Sequence, residues 1–237
     1  MNHIEFSNEF DVLYNNIMSN AAPGLNEYEK SVFLTKAQEE IVKNHFNPNG
    51  NKYKEGLDDS PKRQIDFSEL IKVAEGVLTD TPPITFDNRA KVYNLPEDTF
   101  IIMNESIETN KGIRQIVPIS YNDYSRLMSR PYKEPIKYQA WRIITTSIND
   151  ITVELIANSN ETIQKYKVRY IRKPAPIITA DLSSEYGDIT INGINTISEC
   201  ELNPIIHQEI LQRAVELAKS AYIGDISSTV QLGERSE

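Results

Sequence analysis

The sequence contains few of the residues that most enzyme sites require. Its 237 residues include one cysteine, three histidines and nine glycines. A single cysteine cannot form a disulfide within the chain, so stability has to come from packing or from partners. The motifs G-x-x-x-x-G-K-[ST], G-x-G-x-x-G and G-x-S-x-G, which bind phosphate or shape a nucleophile turn, are absent. These absences argue against nucleotide-binding enzymes and α/β-hydrolases.

The segment around His207 is the strongest candidate for a metal site. His207 and Glu209 form the H-x-E pair of zinc deaminases, but those enzymes need two further thiolates and this chain has only Cys200. H-E-x-x-H is also absent. We therefore expect His207 to be a surface or interface histidine and Cys200 to be buried beside a helix start without an activating partner. No catalytic residue, cofactor or metal is predicted.

Charge and hydropathy limit the class of partner. The formal net charge is −9, so the chain as a whole would be repelled by phosphate backbones. No apolar run approaches the ~18 residues of a membrane span, and residues 1–10 lack the basic and apolar regions of a signal peptide. We expect a protein that is made in a cytoplasm and does not contact a membrane.

Apolar residues at helical spacing predict helices near the start of the chain. The first is expected around Phe6, Phe10 and Tyr14 with Ser7 as its cap. The second occupies 26–46, where Asn26 and Glu29 form a variant of the capping box. Its apolar stripe consists of Phe33, Ala37 and Ile41 with Leu34 or Val42. A third helix is expected over 65–78.

A strong helix is also predicted near the end of the chain. Asn203 provides the cap, Pro204 occupies the first helical position and Gly224 ends the helix. Its apolar stripe should pack on the helix at 26–46 and consists of Ile206, Ile210, Ala214, Leu217, Ala218 and Ala221.

Between these helices the apolar residues follow the period of strands. Six short segments are rich in β-branched and aromatic residues: RAKVYNL, TFIIMNES, RQIVPIS, YQAWRIITTS, DITVELIA and IQKYKVRYIR. The last two are expected to form a hairpin in which Ala157 pairs with Thr162. That register places Glu154 opposite Lys165, Asp150 opposite Arg169, Val153 opposite Tyr166 and Ile151 opposite Val168.

These patterns predict an α+β fold in which N- and C-terminal helices pack together and the chain between them forms a mostly antiparallel β-rich insertion. The expected regions are helical over 1–78, β-rich over 79–198, a C-terminal helix over 199–224 and an extended tail over 225–237. The tail has too little apolar mass to fold alone. Its apolar residues suit a groove or sheet edge on a neighbour, and they form the candidate assembly interface: Ile226, Val230 and Leu232.

One strand is a candidate for contact with nucleic acid. Residues 163–173 contain Lys165, Lys167 and Arg169 with tyrosines between them, a pattern typical of a strand that follows phosphates. Strand alternation instead places the tyrosines in the core and leaves the basic residues on a solvated face. This basic face is expected to point to a lumen or a partner. A cytoplasmic nucleic-acid-binding or regulatory module using 163–173 remains an alternative, as does a hydrolase with dispersed acids.

Four segments together resemble a known family. They are NEYEKSVFLTKAQEEIVKNHF, PISYNDYSRLMSRPYKEPIKYQAWRI, KYKVRYIRKPAPI and ECELNPIIHQEILQRAVELAKSAY, in this order along the chain. The chain is similar to the head-tail connector or ring proteins of crAss-like short-tailed phages of Bacteroidetes, over most of residues 25–224.

The resemblance implies a non-enzymatic virion protein that is synthesised in the host cytoplasm. It implies a homo-oligomeric ring, a dodecamer, below the portal, in contact with the portal protein and with adjacent tail or ring proteins. DNA would pass through the lumen without specific binding during packaging and ejection. The family provides no catalytic motif to compare.

Overall fold

A computed structural model describes residues 1–18, 24–46, 61–79, 85, 87–128, 134–146, 151–185 and 187–223. The chain divides into two compact units. The helical unit comprises Met1–Leu70 and Pro174–Glu237, and the sheet unit comprises Ile71–Lys173. Within the described residues, no helix has the length and apolar character needed to cross a membrane.

Among the described residues the helices lie mainly in the helical unit, and α4 is the one helix of the sheet unit. Short 3₁₀ turns cover Ser68–Leu70 and Pro204–Ile206. The α-helices are α1 His3–Met18, α2 Glu27–Phe46, α3 Pro61–Asp66, α4 Tyr121–Met128, α5 Leu182–Glu185 and α6 His207–Ile223.

Capping residues set the starts of α1 and α2. Asn26 and Glu29 form the predicted box, with Glu29 N 2.8 Å from the Asn26 side chain and Asn26 N 2.9 Å from the Glu29 carboxylate. Asn2 and Glu5 make the same reciprocal bonds at α1, at 2.8 and 3.0 Å. The prediction that Ser7 caps α1 is wrong, because α1 begins at His3 and the Asn2 side chain accepts from Glu5 N at its start.

The interior of the helical unit consists of the stripes of α1, α2 and α6. Leu34, Ala37, Ile41 and Val42 are buried on α2, and Phe6, Phe10 and Tyr14 are buried on α1. In the stripe predicted for the last helix, Ile206, Ile210, Ala214 and Ala218 are buried, Leu217 is half-buried and Ala221 is exposed. Arg213 of α6 donates two hydrogen bonds to Glu40 of α2, at 3.0 and 2.8 Å. The Asn203 cap is confirmed, since its side chain accepts from Ile205 N.

The described part of the sheet unit contains eight strands. They are β1 Ile71–Glu75, β2 Val77–Leu78, β3 Lys91–Asn94, β4 Thr99–Thr109, β5 Gly112–Pro118, β6 Gln139–Thr146, β7 Ile151–Ile156 and β8 Ile163–Arg172. All six predicted strand segments contain a strand, and helices together with a large sheet confirm the α+β class. The order is β1-β8-β4-β5-β6-β7-β3-β2, with every pair antiparallel except the parallel pair β5–β6.

The two ends of the sheet are consecutive parts of one bent strand. β1 pairs with β8 and β2 pairs with β3, and only Gly76 separates them. Gly76 N donates to the Tyr166 carbonyl at 3.0 Å, and a Cβ at Gly76 would lie 2.3 Å from the Tyr166 ring. The sheet therefore closes on itself where only glycine fits.

The third helix predicted over 65–78 is wrong beyond Leu70. α3 ends at Asp66, and residues 71–78 form β1 and β2. The helix was predicted from the apolar residues Ile65, Leu70, Ile71 and Ala74. Of these, Ile65 is 63% exposed, Leu70 is buried, and Ile71 and Ala74 are half-buried on β1. Gly76 costs a helix about 1 kcal/mol relative to alanine, whereas it allows the bend that the closed sheet requires.

The predicted β7–β8 hairpin is also wrong. β7 lies between β6 and β3, and β8 lies between β1 and β4. Glu154 is opposite Val92 and Ile143, and Lys165 is opposite Glu108; Asp150 lies outside the described residues. Partners distant in sequence set the register here, because the long β4 binds β8 along nearly its whole length. Val153 and Tyr166 still share a buried cluster inside the closed sheet.

Residues 174–198 belong to the helical unit, although they were expected in the β-rich region. The extended backbone of this segment bonds to polar side chains of α2. Ile177 N donates to Thr35 at 3.2 Å, Thr179 N donates to Ser31 at 3.0 Å, and Gln38 donates to the Ala175 carbonyl at 2.7 Å. These buried side chains of α2 make the hydrogen bonds that a neighbouring strand would otherwise make to this backbone.

Candidate assembly surfaces

The basic face predicted on β8 points outward. Tyr166, Val168 and Tyr170 are buried, whereas Lys165 and Lys167 alternate with them and are exposed. Arg169 is half-buried and lies opposite Val73 of β1 and Asn104 of β4. The strand alternation is therefore as predicted, and the tyrosines are part of the core.

Acidic side chains on neighbouring strands offset the charge of this face. Lys165 lies 3.3 Å from Glu75 of β1, and Lys167 lies 3.6 Å from Glu108 of β4. The two lysines and two glutamates carry no net charge together. The carboxylates differ from the predicted partners, Glu154 and Asp150, because β8 has different neighbours. A face neutralised in this way attracts phosphate weakly.

Buried ionised groups hold the interior of the closed sheet. Arg142 of β6 lies 2.7 Å from Glu105 of β4, and Glu105 accepts a short hydrogen bond from the Tyr166 hydroxyl of β8. Burial, followed by the nearby Glu105 charge, raises the pKa of Tyr166 far above its ordinary value. Tyr166 therefore stays protonated and acts as a donor.

Two further ion pairs fix the loops at the ends of strands. Arg114 of β5 donates two bonds of 2.8 Å to Glu161 in the β7–β8 connection, and Arg89 donates to both Asp87 oxygens at 3.0 and 2.7 Å. Hydrogen bonds from Arg114 hold the pKa of Glu161 below its ordinary value, and those from Arg89 do the same for Asp87. These carboxylates are structural anions rather than candidate proton donors.

His207 is a structural residue of the helical unit. It is 3% exposed, so the expectation of a surface or interface histidine is wrong. Nε2 donates to the Leu202 carbonyl at 2.9 Å, and Nδ1 accepts from the Met1 amino nitrogen at 2.7 Å. Burial lowers the pKa of His207 and keeps the ring neutral. The ring is buried because α1 and the start of α6 pack around it, with Phe6 5.2 Å away.

Cys200 is held in an unreactive environment. Its thiol donates to Gln38 at 3.2 Å, and burial raises its pKa to about 11. The thiolate that a nucleophile needs is therefore scarce at neutral pH. Among the described residues, no three His, Cys, Asp or Glu side chains are grouped as metal ligands would be.

The helical unit contains an apolar groove between α1, α2 and α6, which we call the helical groove. Its volume is about 330 Å³, and its lining includes Tyr14, Leu25, Tyr28, Val32, Ala221 and Tyr222. Ala221 and Tyr222 are exposed, so the groove is open along the last turn of α6. Ile226, Val230 and Leu232, the predicted assembly residues, follow α6 directly and lie outside the described residues.

Comparison with known proteins determines the family. The family described as phage tail ring protein 3/4 matches residues 1–229. The chain belongs to this ring-protein family. It is 79% identical over 238 residues to Ring protein 4/5 of Bacteroides phage crAss001, covering 100% of both chains. It is 33% identical over 226 residues to Ring protein 3 of the same phage, covering 92% of this chain and 95% of the other. The resemblance to crAss-like ring proteins is thereby confirmed.

The apolar patterns of this sequence indicate the helical groove only weakly. Tyr28 and Val32 lie beside the buried stripe of α2, and Ala218 and Ala221 extend the stripe of α6. The small side chains of Ala218 and Ala221 leave space next to Tyr14 and Tyr28. Such a space depends on how three helices converge, which helical periodicity does not describe.

Proposed function

We propose that this protein is a non-enzymatic subunit of a homo-oligomeric ring in the head-tail connector of a crAss-like phage. The ring lies below the portal, contacts the portal and adjacent ring or tail proteins, and forms part of the conduit for genome packaging and ejection. The observation that carries this proposal is membership of the ring-protein family over residues 1–229.

The physical properties of the chain support a conduit role. A net charge of −9 disfavours adhesion of DNA that has to move through a lumen. The basic face of β8, offset by Glu75 and Glu108, suits a lumen or a subunit contact better than phosphate binding. Hydrogen bonds within the protein hold the ionisable side chains of Glu161, Asp87, His207 and Cys200. This supports a protein without a catalytic centre.

Electron microscopy of the purified protein, alone and with the portal of the same phage, tests the proposal. We expect rings in at least one of the two samples, and mass measurement of the rings tests the dodecamer. The protein should also be present in purified virions. A protein that stays monomeric with portal and the other virion components, and is absent from particles, would refute the proposal.

A binding measurement separates the conduit from the nucleic-acid module. With duplex DNA at 150 mM salt, a conduit subunit should show no binding tighter than ordinary non-specific affinity, about 10⁻⁴–10⁻⁶ M. Nanomolar binding that is lost in the double variant Lys165→Glu, Lys167→Glu would instead support the module that uses 163–173.

A further inference from the structure

We propose that the helical groove binds the C-terminal segment 224–237 of a neighbouring copy of the same chain. The proposal rests on the ring function proposed above and assigns one of the contacts that would join its subunits. The groove and the segment are different parts of the same polypeptide. A contact between two different surfaces is what a head-to-tail ring requires.

The shape and chemistry of the helical groove suit a short apolar peptide. Its volume of about 330 Å³ is at the small end of protein binding pockets, which range from about 300 to 1,000 Å³. Most of the lining is apolar. It consists of the aromatic rings of Tyr14, Tyr28 and Tyr222 and the aliphatic side chains of Leu25 and Val32. The free energy of binding becomes more favourable when aliphatic side chains displace water from such a surface.

The described lining of the groove includes one charged side chain, that of Glu29. Its carboxylate accepts from Asn26 N at 2.9 Å as part of the α2 cap. This carboxylate keeps its negative charge, so it disfavours an anionic occupant. The lining favours an uncharged, aliphatic segment.

The C-terminal segment has these properties in its centre. Residues 226–233 read ISSTVQLG and contain no charged residue, whereas Asp225 and Glu234 flank them. Ile226, Val230 and Leu232 supply three aliphatic side chains within seven positions. The segment follows immediately after Ala221 and Tyr222, which form one wall of the groove.

The position of this wall favours the groove of a neighbour over the chain's own groove. α6 runs along the groove and ends at Ile223, so the chain would have to reverse between Ile223 and Ile226 to enter its own groove. Fourteen extended residues can span up to about 50 Å, which is ample for a subunit that lies alongside. We therefore assign the occupant to a second copy.

Matched substitutions test the groove and the segment separately. Ala221→Trp fills the groove from an exposed position, and Leu232→Asp places a charge in the apolar stretch. Each should weaken ring assembly about tenfold or more, as loss of an interface anchor does, without lowering the melting temperature. Ser227→Asp adds the same charge without removing an aliphatic side chain and should change assembly less than about threefold.

A cross-linking experiment identifies which copy supplies the segment. Tagged Val32→Cys protein is mixed with untagged Val230→Cys protein under mild oxidation. Cys200 is half-buried and its pKa is raised to about 11, so its thiol stays out of the reaction. We expect disulfide-linked pairs that contain one copy of each variant. A third sample carries Val32→Cys and Val230→Cys on the same chain. If a disulfide forms within that chain and no mixed pairs form between the two single variants, the assignment to a neighbour is overturned.

The failures of the two proposals are distinguishable. If the wild type forms rings and Ala221→Trp and Leu232→Asp form them equally well, the groove contact is refuted and the ring function stands. If the wild type forms no rings with portal and is absent from virions, the ring function fails and the groove contact fails with it.

Discussion

The helical unit and the sheet unit bury charge to different extents. Among the described ion pairs of the helical unit, the least exposed is Arg213–Glu40, at 15% and 16%. The Lys30 side chain is 4% exposed, but its partners Asp11 and Glu27 are 47% and 31% exposed. In the sheet unit both partners can be buried, as in Arg114 and Glu161 at 6% and 5%. Arg142 and Glu105 are similar, at 11% and 6%.

This difference shows what each unit needs from its polar side chains. Removing two charges from water costs several kcal/mol per ion, so a buried pair adds little net stability even when its geometry is good. A helix satisfies its own backbone, whereas a strand depends on the correct neighbour. We infer that the buried pairs of the sheet unit help to specify which strands meet, since an incorrect pairing would leave a charge without its partner.

The largest effect should come from placing a charge in the apolar core of the helical unit. Ile210 is fully buried on α6, and Ile210→Asp leaves a carboxylate there without a partner. We expect a loss of stability on the order of 4 kcal/mol, measured by thermal or urea denaturation. Ile205→Asp is the matched control, because Ile205 is 63% exposed. Equal stability of the two variants would show that α6 does not pack as described.

A steric change at the closure of the sheet should have the next largest effect. The Cβ of Gly76→Val would lie 2.3 Å from the Tyr166 ring, so the ring or the bent strand has to move. Overpacking of this kind costs about 1–3 kcal/mol. Gly24→Val is the control, since no atom lies within 4 Å of a Cβ at Gly24. If Gly76→Val were as stable as the control, the sheet would not depend on a close approach at this position.

The buried pair Arg114–Glu161 should make the stability of the protein depend on pH in the acid range. The pKa of Glu161 is lowered in the folded protein, so between this lowered value and the ordinary glutamate value of about 4.3 the unfolded chain binds more protons. Stability from this group is therefore complete above about pH 4.3 and is lost as the pH falls through the folded value. Glu161→Gln should have a lower melting temperature at pH 7 and a shallower decline below pH 4.

The control for this experiment is Glu69→Gln, because Glu69 is exposed. It should follow the wild-type melting temperature at each pH. A Glu161→Gln profile parallel to that of the wild type would mean that Glu161 does not contribute to the acid sensitivity.

The smallest effect should come from the ion pairs on the outer face of β8. A double-mutant cycle with Lys165→Ala and Glu75→Ala should give a coupling energy below about 1 kcal/mol, because both side chains are more than half exposed. The measurement is the melting temperature of the four proteins. A coupling of 2 kcal/mol or more would place this pair with the buried pairs and remove the contrast between surface and interior.

Helix positions and strand positions could be predicted from the sequence to a large extent. The α2 cap at Asn26 and Glu29 was predicted because a capping box is a local pattern. The alternation of Lys165, Tyr166, Lys167 and Val168 also gave the correct faces of β8. The apolar groove could not be predicted, since it depends on the relative placement of α1, α2 and α6.

The wrong prediction of a β7–β8 hairpin shows what local patterns cannot specify. The β7–β8 hairpin was predicted from a short connection and from charges that match across it. In the structure Glu161 of that connection binds Arg114 of β5, and β8 pairs with β1 and β4. The short loop therefore crosses to other strands instead of reversing into a hairpin.

The sequence by itself determined the caps at Asn26 and Asn203, the apolar stripes of α1, α2 and α6, six of the strand segments and the family, because each depends on residues close in the chain or on their order along it. Only the tertiary structure decided the pairing of the strands, the closure at Gly76, the burial of His207 and the existence of the helical groove. Each of these arises from contacts between residues distant in sequence. Their free energy depends on all the elements that meet there, and no short stretch of sequence specifies that sum.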